Sequence, residues 1–326
     1  MTTVSMEQNA ILQARGLSKH FPVRKGFLQR PAGWVHAVDD VSLAVPRGGT
    51  LGLVGESGCG KSTLARIVLK LLEPDAGELV YQGREITWLP EAAFKPLRKD
   101  IQIVFQDPYG SLNAKMSIAS TLEDGLRVLG LPKAQRRERI GSLLEQVGLS
   151  PEIRNRYPHE FSGGQRQRIG LARALSVEPK LIICDEPVSA LDVSIQAKII
   201  NLLLTLQQQL ELSYLFISHD LNVVGFLSHQ VAVMYLGQIV EYAPTEELFA
   251  EPRHPYTQAL LAATPRVDAL QSQRQPLAGD VPSPLHPPAG CRFHTRCALA
   301  GPECRQSPVA LTQTGDGRLI RCLKAG

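Results

Sequence analysis

The spacing of apolar residues along the chain alternates between the two-residue period of strands and the longer period of helices. Residues 11–54 alternate in the manner of strands, with a hairpin loop predicted at 22–33, where Pro, Gly and basic residues cluster. Helices are predicted over about 61–72, 115–160 and 195–210. Short apolar runs predict buried strands at 101–105, 181–184 and 214–217. Two further stretches, 78–86 and 230–243, predict hairpins. Strands that alternate with helices are typical of an α/β fold.

One segment has the composition of a phosphate-binding loop. It follows the apolar run 51–54 and consists of Gly55, Glu56, Ser57, Gly58, Cys59, Gly60, Lys61, Ser62 and Thr63. The segment fits the pattern G-x-x-x-x-G-K-[ST], in which the lysine reaches the β- and γ-phosphates and the next hydroxyl binds Mg²⁺. A glycine-rich turn that binds nothing is the alternative. The strand before the loop and the helix after it favour a nucleoside triphosphate site, because a helix N-terminus attracts anions.

Polar residues follow three of the predicted core strands. Gln106 comes after 101–105, and His219 comes after 214–217. Asp185 and Glu186 directly follow the wholly apolar run 181–184. Two unpaired charges at the end of a buried strand would be costly. Ligands of open α/β sheets lie at such strand ends. We therefore expect Asp185 to hold Mg²⁺ through water, Glu186 to polarise an attacking water, and His219 to contact the γ-phosphate.

Two other features gain meaning beside a nucleotide site. Ser162 is a good N-cap for the helix that follows, and Gly163 and Gly164 expose backbone N–H groups there, with Gln165 next. This predicts a second anion site, although a capped helix with a flexible lead-in explains the same residues. Phe21, at the end of the first strand, is a half-buried strand residue on its own and a candidate to stack on adenine in this context.

Composition restricts the class of protein. The chain has 326 residues, 44% hydrophobic and 20% charged, with a net charge of +4, as in an ordinary globular protein. The basic run 133–139 is better explained as a solvated helix face than as a nucleic-acid patch. The N-terminus lacks a signal pattern, and no apolar run is long enough to span a bilayer. Any role at a membrane is therefore expected to come through a partner subunit.

Four of the six cysteines lie close to the C-terminus, after composition changes near residue 265. They are Cys291, Cys297, Cys304 and Cys322, with the spacing C-x₅-C-x₆-C-x₁₇-C. Clustered cysteines in a cytosolic chain favour a metal over disulfides. Zinc sites usually contain C-x₂₋₄-C pairs, whereas a Cys₄ iron–sulfur cluster accepts looser spacing. A [4Fe-4S] cluster, zinc, and free or disulfide-bonded thiols remain as alternatives.

Together these motifs resemble the ATP-binding cassette (ABC) family over roughly residues 11–265. Residues 55–63 match its Walker A motif, and FSGGQ at 161–165 matches its signature. Gln106 matches the Q-loop, and LIICDEP matches Walker B with its catalytic glutamate. SALD, ending at Asp192, matches the D-loop, and His219 the switch histidine. The resemblance implies a P-loop NTPase domain over 1–265, with a RecA-like core, an antiparallel β subdomain and a helical subdomain at about 110–175. Residues 266–326 would form a small cysteine-containing extension.

The resemblance also implies an assembly and a reaction. Two ATPases would form a head-to-tail dimer in which Ser162 to Gln165 of one subunit, with Asp192, close over ATP held by the other subunit's loop. Gln106 would sense Mg²⁺ and nucleotide and relay that to a membrane subunit. Because Glu186 and His219 are both present, the resemblance implies a site that hydrolyses ATP.

A narrower resemblance points to the branch of this family that imports peptides. It is carried by FPVRKG, VFQDPYGSLN, SALDVSIQA, SHDLNVV, RHPYTQALL and VPSPLHPPAGC. The branch implies a second, different ATPase, two permease subunits, an extracytoplasmic binding protein and a place on the cytoplasmic face of the plasma membrane. Some of its ATPases carry a [4Fe-4S] cluster in this extension. Nickel and glutathione importers share the branch, and soluble ABC proteins acting on nucleic acid are disfavoured by the single cassette and balanced charge.

Overall fold

The computed structural model describes residues 9–25, 30–107, 110–264 and 279–325. Its strands are β1 (Ala10–Lys25), β2 (Arg30–Pro46), β3 (Thr50–Val54), β4 (Ala76–Tyr81), β5 (Arg84–Glu85), β6 (Ile101–Val104), β7 (Leu181–Asp185), β8 (Ser213–Ser218), β9 (Gln230–Tyr235), β10 (Gln238–Pro244), β11 (Thr312–Gln313) and β12 (Leu319–Ile320).

The helices alternate with these strands as the sequence predicts. They are α1 (Lys61–Val68), α2 (Glu91–Phe94), α3 (Ile118–Val128), α4 (Lys133–Gln146), α5 (Gly163–Leu175), α6 (Val193–Leu210), α7 (Leu221–Leu227), α8 (Thr245–Ala250), α9 (Pro255–Ala263) and α10 (Glu303–Gln306). Short 3₁₀ turns cover Lys95–Lys99, Pro151–Asn155 and Pro158–Glu160. Within the described residues, no helix has both the length and the hydropathy to span a bilayer.

The chain divides into two units, each assembled from separate stretches of sequence. Unit 1 draws on residues 1–46, 50–88 and 218–326, and unit 2 on 47–49 and 89–217. The predicted helical stretch of about 110–175 lies wholly within unit 2. The boundary predicted at 265 between cassette and extension stays a prediction.

Unit 1 contains an antiparallel sheet in the order β2-β1-β4-β5. The β1–β2 hairpin is longer than predicted, because pairing continues through residues assigned to a loop, as in Pro22↔Trp34 and Arg24↔Pro31. Strand β4 pairs with β1 only as far as Ser18. Pro22 and Pro31 therefore lie in the part of the hairpin where only β1 and β2 pair. Among the described residues no further strand pairs with this part of the hairpin, so a missing N–H is tolerated there. The central part of the predicted loop, 26–29, lies outside the described residues.

A second group of strands in unit 1 carries the phosphate-binding loop. The wholly buried strand β3 pairs in parallel with β9, and β9 pairs with β10 through a turn at Gly237. Strand β12, from the C-terminal extension, pairs with β10. The loop and the extension therefore belong to one group of hydrogen-bonded strands.

Unit 2 is built on the parallel strands β6, β7 and β8, with β7 in the middle. Helix α6 buries Ile199, Leu203 and Leu206, as its apolar spacing predicts, and also Ile200. Ile195 and Leu202, which share this apolar spacing, are only half-buried. Because parallel strands end at the same edge of a sheet, the residues after β6 and β7 lie at one edge of this unit.

Candidate nucleotide site and cysteine cluster

Lys61 is the first residue of α1, and its side chain reaches back to the loop between β3 and α1. Its Nζ donates to the backbone oxygens of Gly55 (2.7 Å) and Glu56 (3.0 Å), and its side chain is 5% exposed. A buried ammonium needs such partners, because an uncompensated charge is costly away from water. The loop therefore curls around a fixed positive charge at the start of a helix, which is the arrangement that binds a phosphate.

The loop glycines are required by the neighbouring strands as much as by a ligand. Gly60 has φ +113°, and a Cβ there would lie 2.0 Å from the backbone oxygen of Ala37. A Cβ on Gly55 would lie 2.1 Å from the backbone oxygen of Met234. The P-loop pattern identifies these positions, but the close approach of adjacent strands is visible only in the structure.

The other loop residues differ in exposure. Ser57, Gly58 and Ser62 are exposed, whereas Thr63 is half-buried. Cys59 is buried, and burial raises the pKa of its thiol although Lys61 is close. Cys59 is therefore a neutral core thiol.

Phe21 and His219 belong to the same unit as the loop. Phe21 lies in β1, half-buried, with the Lys19 ammonium 5.8 Å from its ring centroid. His219 is exposed and directly follows β8. Asp220, the next residue, caps helix α7 by accepting from the N–H of Asn222 at 2.9 Å. The adenine-stacking and γ-phosphate roles of these residues stay predictions.

Asp185 and Glu186 in unit 2 are separated by a change in backbone conformation. Strand β7 ends at Asp185, and Glu186 adopts a left-handed conformation with φ +48°. The Glu186 N–H donates to the Ile217 oxygen at 2.9 Å. The regular strand geometry of β7 therefore ends at Asp185 and does not continue to Glu186. Backbone strain of this kind in a non-glycine residue is common at functional sites.

Gln106 is exposed, just beyond the end of β6. The neighbouring Phe105 oxygen accepts a hydrogen bond from Gln167 Nε2 at 3.2 Å, which ties this strand end to helix α5. Gln106 and Glu186 thus follow adjacent parallel strands of unit 2, at the edge where the sequence analysis expects a ligand.

The signature segment begins α5 with a reciprocal capping box. Ser162 Oγ accepts from the Gln165 N–H, and Gln165 Oε1 accepts from the Ser162 N–H at 3.0 Å. A Cβ on Gly164 would lie 2.5 Å from Ile195, so the start of α5 packs tightly on the start of α6. Gln165 thus has a structural role that the S-x-x-Q pattern could have revealed.

Asp192 caps the adjacent helix α6. Its carboxylate accepts from the Ile195 N–H at 2.9 Å and from the Ser194 hydroxyl at 3.0 Å. These hydrogen bonds lower the pKa of Asp192. Unit 2 therefore brings together the signature segment and the D-loop aspartate, both at helix N-termini.

Two partners of Glu56 were missed by the sequence analysis. The Glu56 N–H donates to the Tyr256 hydroxyl at 3.0 Å. Arg296, from the extension, donates to both carboxylate oxygens of Glu56 at 2.8 and 3.1 Å. Contacts over such separations in sequence leave no local pattern, so no motif predicts them.

The six cysteines are all free. Cys184 is fully buried in β7, where burial raises its pKa. In the extension Cys304 is buried and the other three are partly exposed. Backbone N–H groups two residues further along donate to three sulfurs, from Phe293 to Cys291, from Leu299 to Cys297 and, at 3.3 Å, from Lys324 to Cys322. Burial raises the pKa of Cys291 and of Cys297, and these N–H donors oppose that rise.

The spacing of the four sulfurs differs from that of a zinc site. Among the described residues, the only three potential ligand atoms from His, Cys, Asp or Glu that lie within 4.8 Å of one another come from His20, His36 and Asp39. No three sulfurs of the extension are that close. A zinc tetrahedron with bonds of about 2.3 Å requires sulfurs about 3.8 Å apart.

Comparison with family models and curated proteins gives consistent matches. Residues 38–189 match the ABC transporter family, and residues 240–304 match the C-terminal region of oligopeptide/dipeptide transporters. The chain is 49% identical over 324 residues to the dipeptide transport ATP-binding protein DppF of Haemophilus influenzae, covering 99% of each. It is 48% identical to the oligopeptide transport ATP-binding protein AppF of Bacillus subtilis, covering 97% of each.

Solved structures share the fold. CbiO1 of Clostridium perfringens, part of the ABC transporter complex CbiONQ, matches with a TM-score of 0.65 and 28% identity, covering 75% of this chain and 92% of that one. The ABC transporter cassette MJ0796, solved as a dimer, matches with a TM-score of 0.63 and 25% identity, covering 72% and 98%.

Proposed function

This chain belongs to the ABC transporter family, and we propose that it is the ATP-hydrolysing subunit of an importer of dipeptides or oligopeptides. The observation that carries the proposal is the similarity over nearly the whole chain to ATP-binding proteins of dipeptide and oligopeptide transport. The match of residues 240–304 to the C-terminal region of such transporters supports the same branch. An ABC ATPase uses ATP with Mg²⁺ as its nucleotide and metal.

Within the nucleotide site, each role follows from the chemistry of the side chain. Lys61 and the loop N–H groups would bind the phosphates. Ser62 and Gln106 would supply oxygen ligands of the kind Mg²⁺ prefers, and Asp185 would hold the ion through water. Mg²⁺ neutralises phosphate charge when bound. Glu186 accepts a proton from the attacking water, and His219 contacts the γ-phosphate.

The proposed assembly is a head-to-tail pair of ATPases beneath two permease subunits. The dimeric cassette MJ0796 supports pairing of this fold. Ser162 to Gln165, together with Asp192, would close over ATP held by the partner ATPase, which we infer to be a paralogue. The chain would then act at the cytoplasmic face of the plasma membrane, fed indirectly by an extracytoplasmic binding protein, with no nucleic acid involved.

This assembly is tested by isolating the full chain, with an affinity tag, from detergent-solubilised membranes of the native cell. We expect a second ABC ATPase and two membrane proteins in near-equal amounts, and ATP hydrolysis that rises when peptide-loaded binding protein is added. Isolation of the chain alone, or with ribosomal or DNA-bound proteins, would contradict the proposal.

The four cysteines of the extension are proposed to hold a [4Fe-4S] cluster, with zinc as the alternative. The cysteine spacing, which lacks the C-x₂₋₄-C pairs usual in zinc sites, supports the cluster. When bound, a cluster of this kind would link three separate parts of the extension. Anaerobic purification followed by an absorption spectrum and iron, sulfide and zinc analysis tests this. Iron matching sulfide is expected, and stoichiometric zinc or no metal would contradict the cluster.

A further inference from the structure

The extension contacts the phosphate-binding loop through one buried ion pair. Arg296 donates from both terminal guanidinium nitrogens to the two carboxylate oxygens of Glu56, at 2.8 and 3.1 Å. The Arg296 side chain is 5% exposed and that of Glu56 26%. Two parallel charge-assisted bonds of this kind fix both the distance and the orientation of the groups. The carboxylate of the loop is therefore held on the side of the extension.

Aromatic residues hold Arg296 in place. Its guanidinium lies 5.9 Å from the ring centroid of Tyr235. Tyr235 packs against Tyr256 and Phe293, with ring centroids 4.6 and 5.3 Å away. Tyr256 also accepts from the Glu56 N–H. Both the backbone and the side chain of Glu56 are thus fixed by groups outside the loop.

The position of Glu56 makes its charge important for nucleotide binding. Its backbone oxygen accepts from Lys61 Nζ, the group that would meet the phosphates. A carboxylate in the same short loop would repel a triphosphate unless a positive charge neutralised it. Two charges about 10 Å apart interact appreciably even in water when one of them is a multiply charged phosphate chain.

We propose that Arg296 is a positioning residue for ATP binding, which neutralises Glu56 and turns its carboxylate away from the phosphates. The inference rests on the proposed ATP site. Because Arg296 directly precedes Cys297, the segment that carries a cysteine of the extension also carries this contact to the loop. Completion of the phosphate site therefore depends on a residue far outside the cassette motifs.

The test measures affinities of the full-length chain for ATP, ADP and adenosine by calorimetry. For Arg296→Gln we expect the Kd for ATP to rise on the order of tenfold, that for ADP to rise less, and that for adenosine to stay unchanged, since repulsion grows with ligand charge. Arg296→Lys keeps the charge and should restore most of the ATP affinity. In a Glu56→Gln background, Arg296→Gln should have little further effect.

Arg318→Gln is the matched control, because Arg318 is also a buried arginine of the extension, 6% exposed, and pairs with Glu247 at 2.9 Å. It should leave ATP affinity unchanged. Equal losses for ATP and adenosine, or the same loss with and without Glu56, would contradict the inference and indicate a merely structural role. If wild type binds ATP and Arg296→Gln binds it equally well, this inference alone fails. A wild type that binds no ATP would overturn the proposed function as well.

Discussion

Glu186 is the residue on which hydrolysis is proposed to depend. Its left-handed backbone, with φ +48°, places it just beyond the end of β7. A general base contributes about 10²- to 10⁴-fold to such reactions. We therefore expect Glu186→Gln to lower ATP turnover at least about 100-fold while ATP still binds, as measured by phosphate release and nucleotide binding.

The exposed Glu152→Gln is the control for this change, and its turnover should match that of wild type. Because ATP binds without being hydrolysed, Glu186→Gln should also accumulate the closed dimer with its partner ATPase, which light scattering of the mixed subunits detects. Turnover at the wild-type rate would show that another group is the base.

His254 makes stability depend on pH. It is 1% exposed, and burial lowers its pKa to about 3. The folded state keeps it neutral, whereas the unfolded chain takes up a proton below about pH 6.5. Stability is therefore highest above pH 6.5 and is lost progressively as pH falls toward 3. Between pH 7 and 5 the expected loss is about 2 kcal/mol, from about 1.4 kcal/mol per pH unit.

The variant His254→Asn tests this effect, because asparagine keeps an acceptor for the Tyr256 N–H that His254 Nδ1 now accepts at 3.0 Å. Unfolding by urea at pH 7 and pH 5 should show a smaller loss in His254→Asn than in wild type. The exposed His159→Asn should behave as wild type. An unchanged loss in His254→Asn would show that other groups cause the pH dependence.

At the scale of elements, the turn from β3 into α1 depends on a glycine. In Gly60→Ala the new Cβ would lie 2.0 Å from the Ala37 oxygen, and φ +113° is strained for alanine. We expect the free energy of unfolding to fall by more than about 2 kcal/mol and ATP binding to be lost. Gly170→Ala in α5 is the control, since nothing lies within 4 Å of its Cβ, and it should be neutral or stabilising. Normal ATP binding by Gly60→Ala would contradict this.

The core elements could be predicted from sequence because their signals are local. The strands at Ile101–Val104, Leu181–Asp185 and Ser213–Ser218 coincide with short apolar runs. Helix α1 instead ends at Val68, earlier than predicted, because Lys70 adopts φ +54° and the Leu71 N–H turns back to the Arg66 oxygen. A helix that ends at a left-handed residue other than glycine has no clear signal in the sequence.

At the scale of the whole molecule, the sequence could identify the motifs but not what supports them. Glu56 meets Tyr256 and Arg296 across 200 and 240 residues. The extension contributes β12 to the strands that carry the loop, and Arg321 of the extension pairs with Asp40 at 2.9 Å. The burial of Arg296 and Arg321 depends on contacts between residues that are far apart in the sequence. Local sequence patterns therefore do not predict it.

We infer that ATP hydrolysis by this chain drives peptide uptake. The most direct measurement reconstitutes the complete complex in liposomes and follows a labelled dipeptide presented by its binding protein. With wild type we predict accumulation that requires ATP on the side of this subunit, and with Glu186→Gln in this chain we predict that accumulation stops. Uptake that continues unchanged with Glu186→Gln, or no peptide uptake by a wild-type complex that hydrolyses ATP, would contradict the claim.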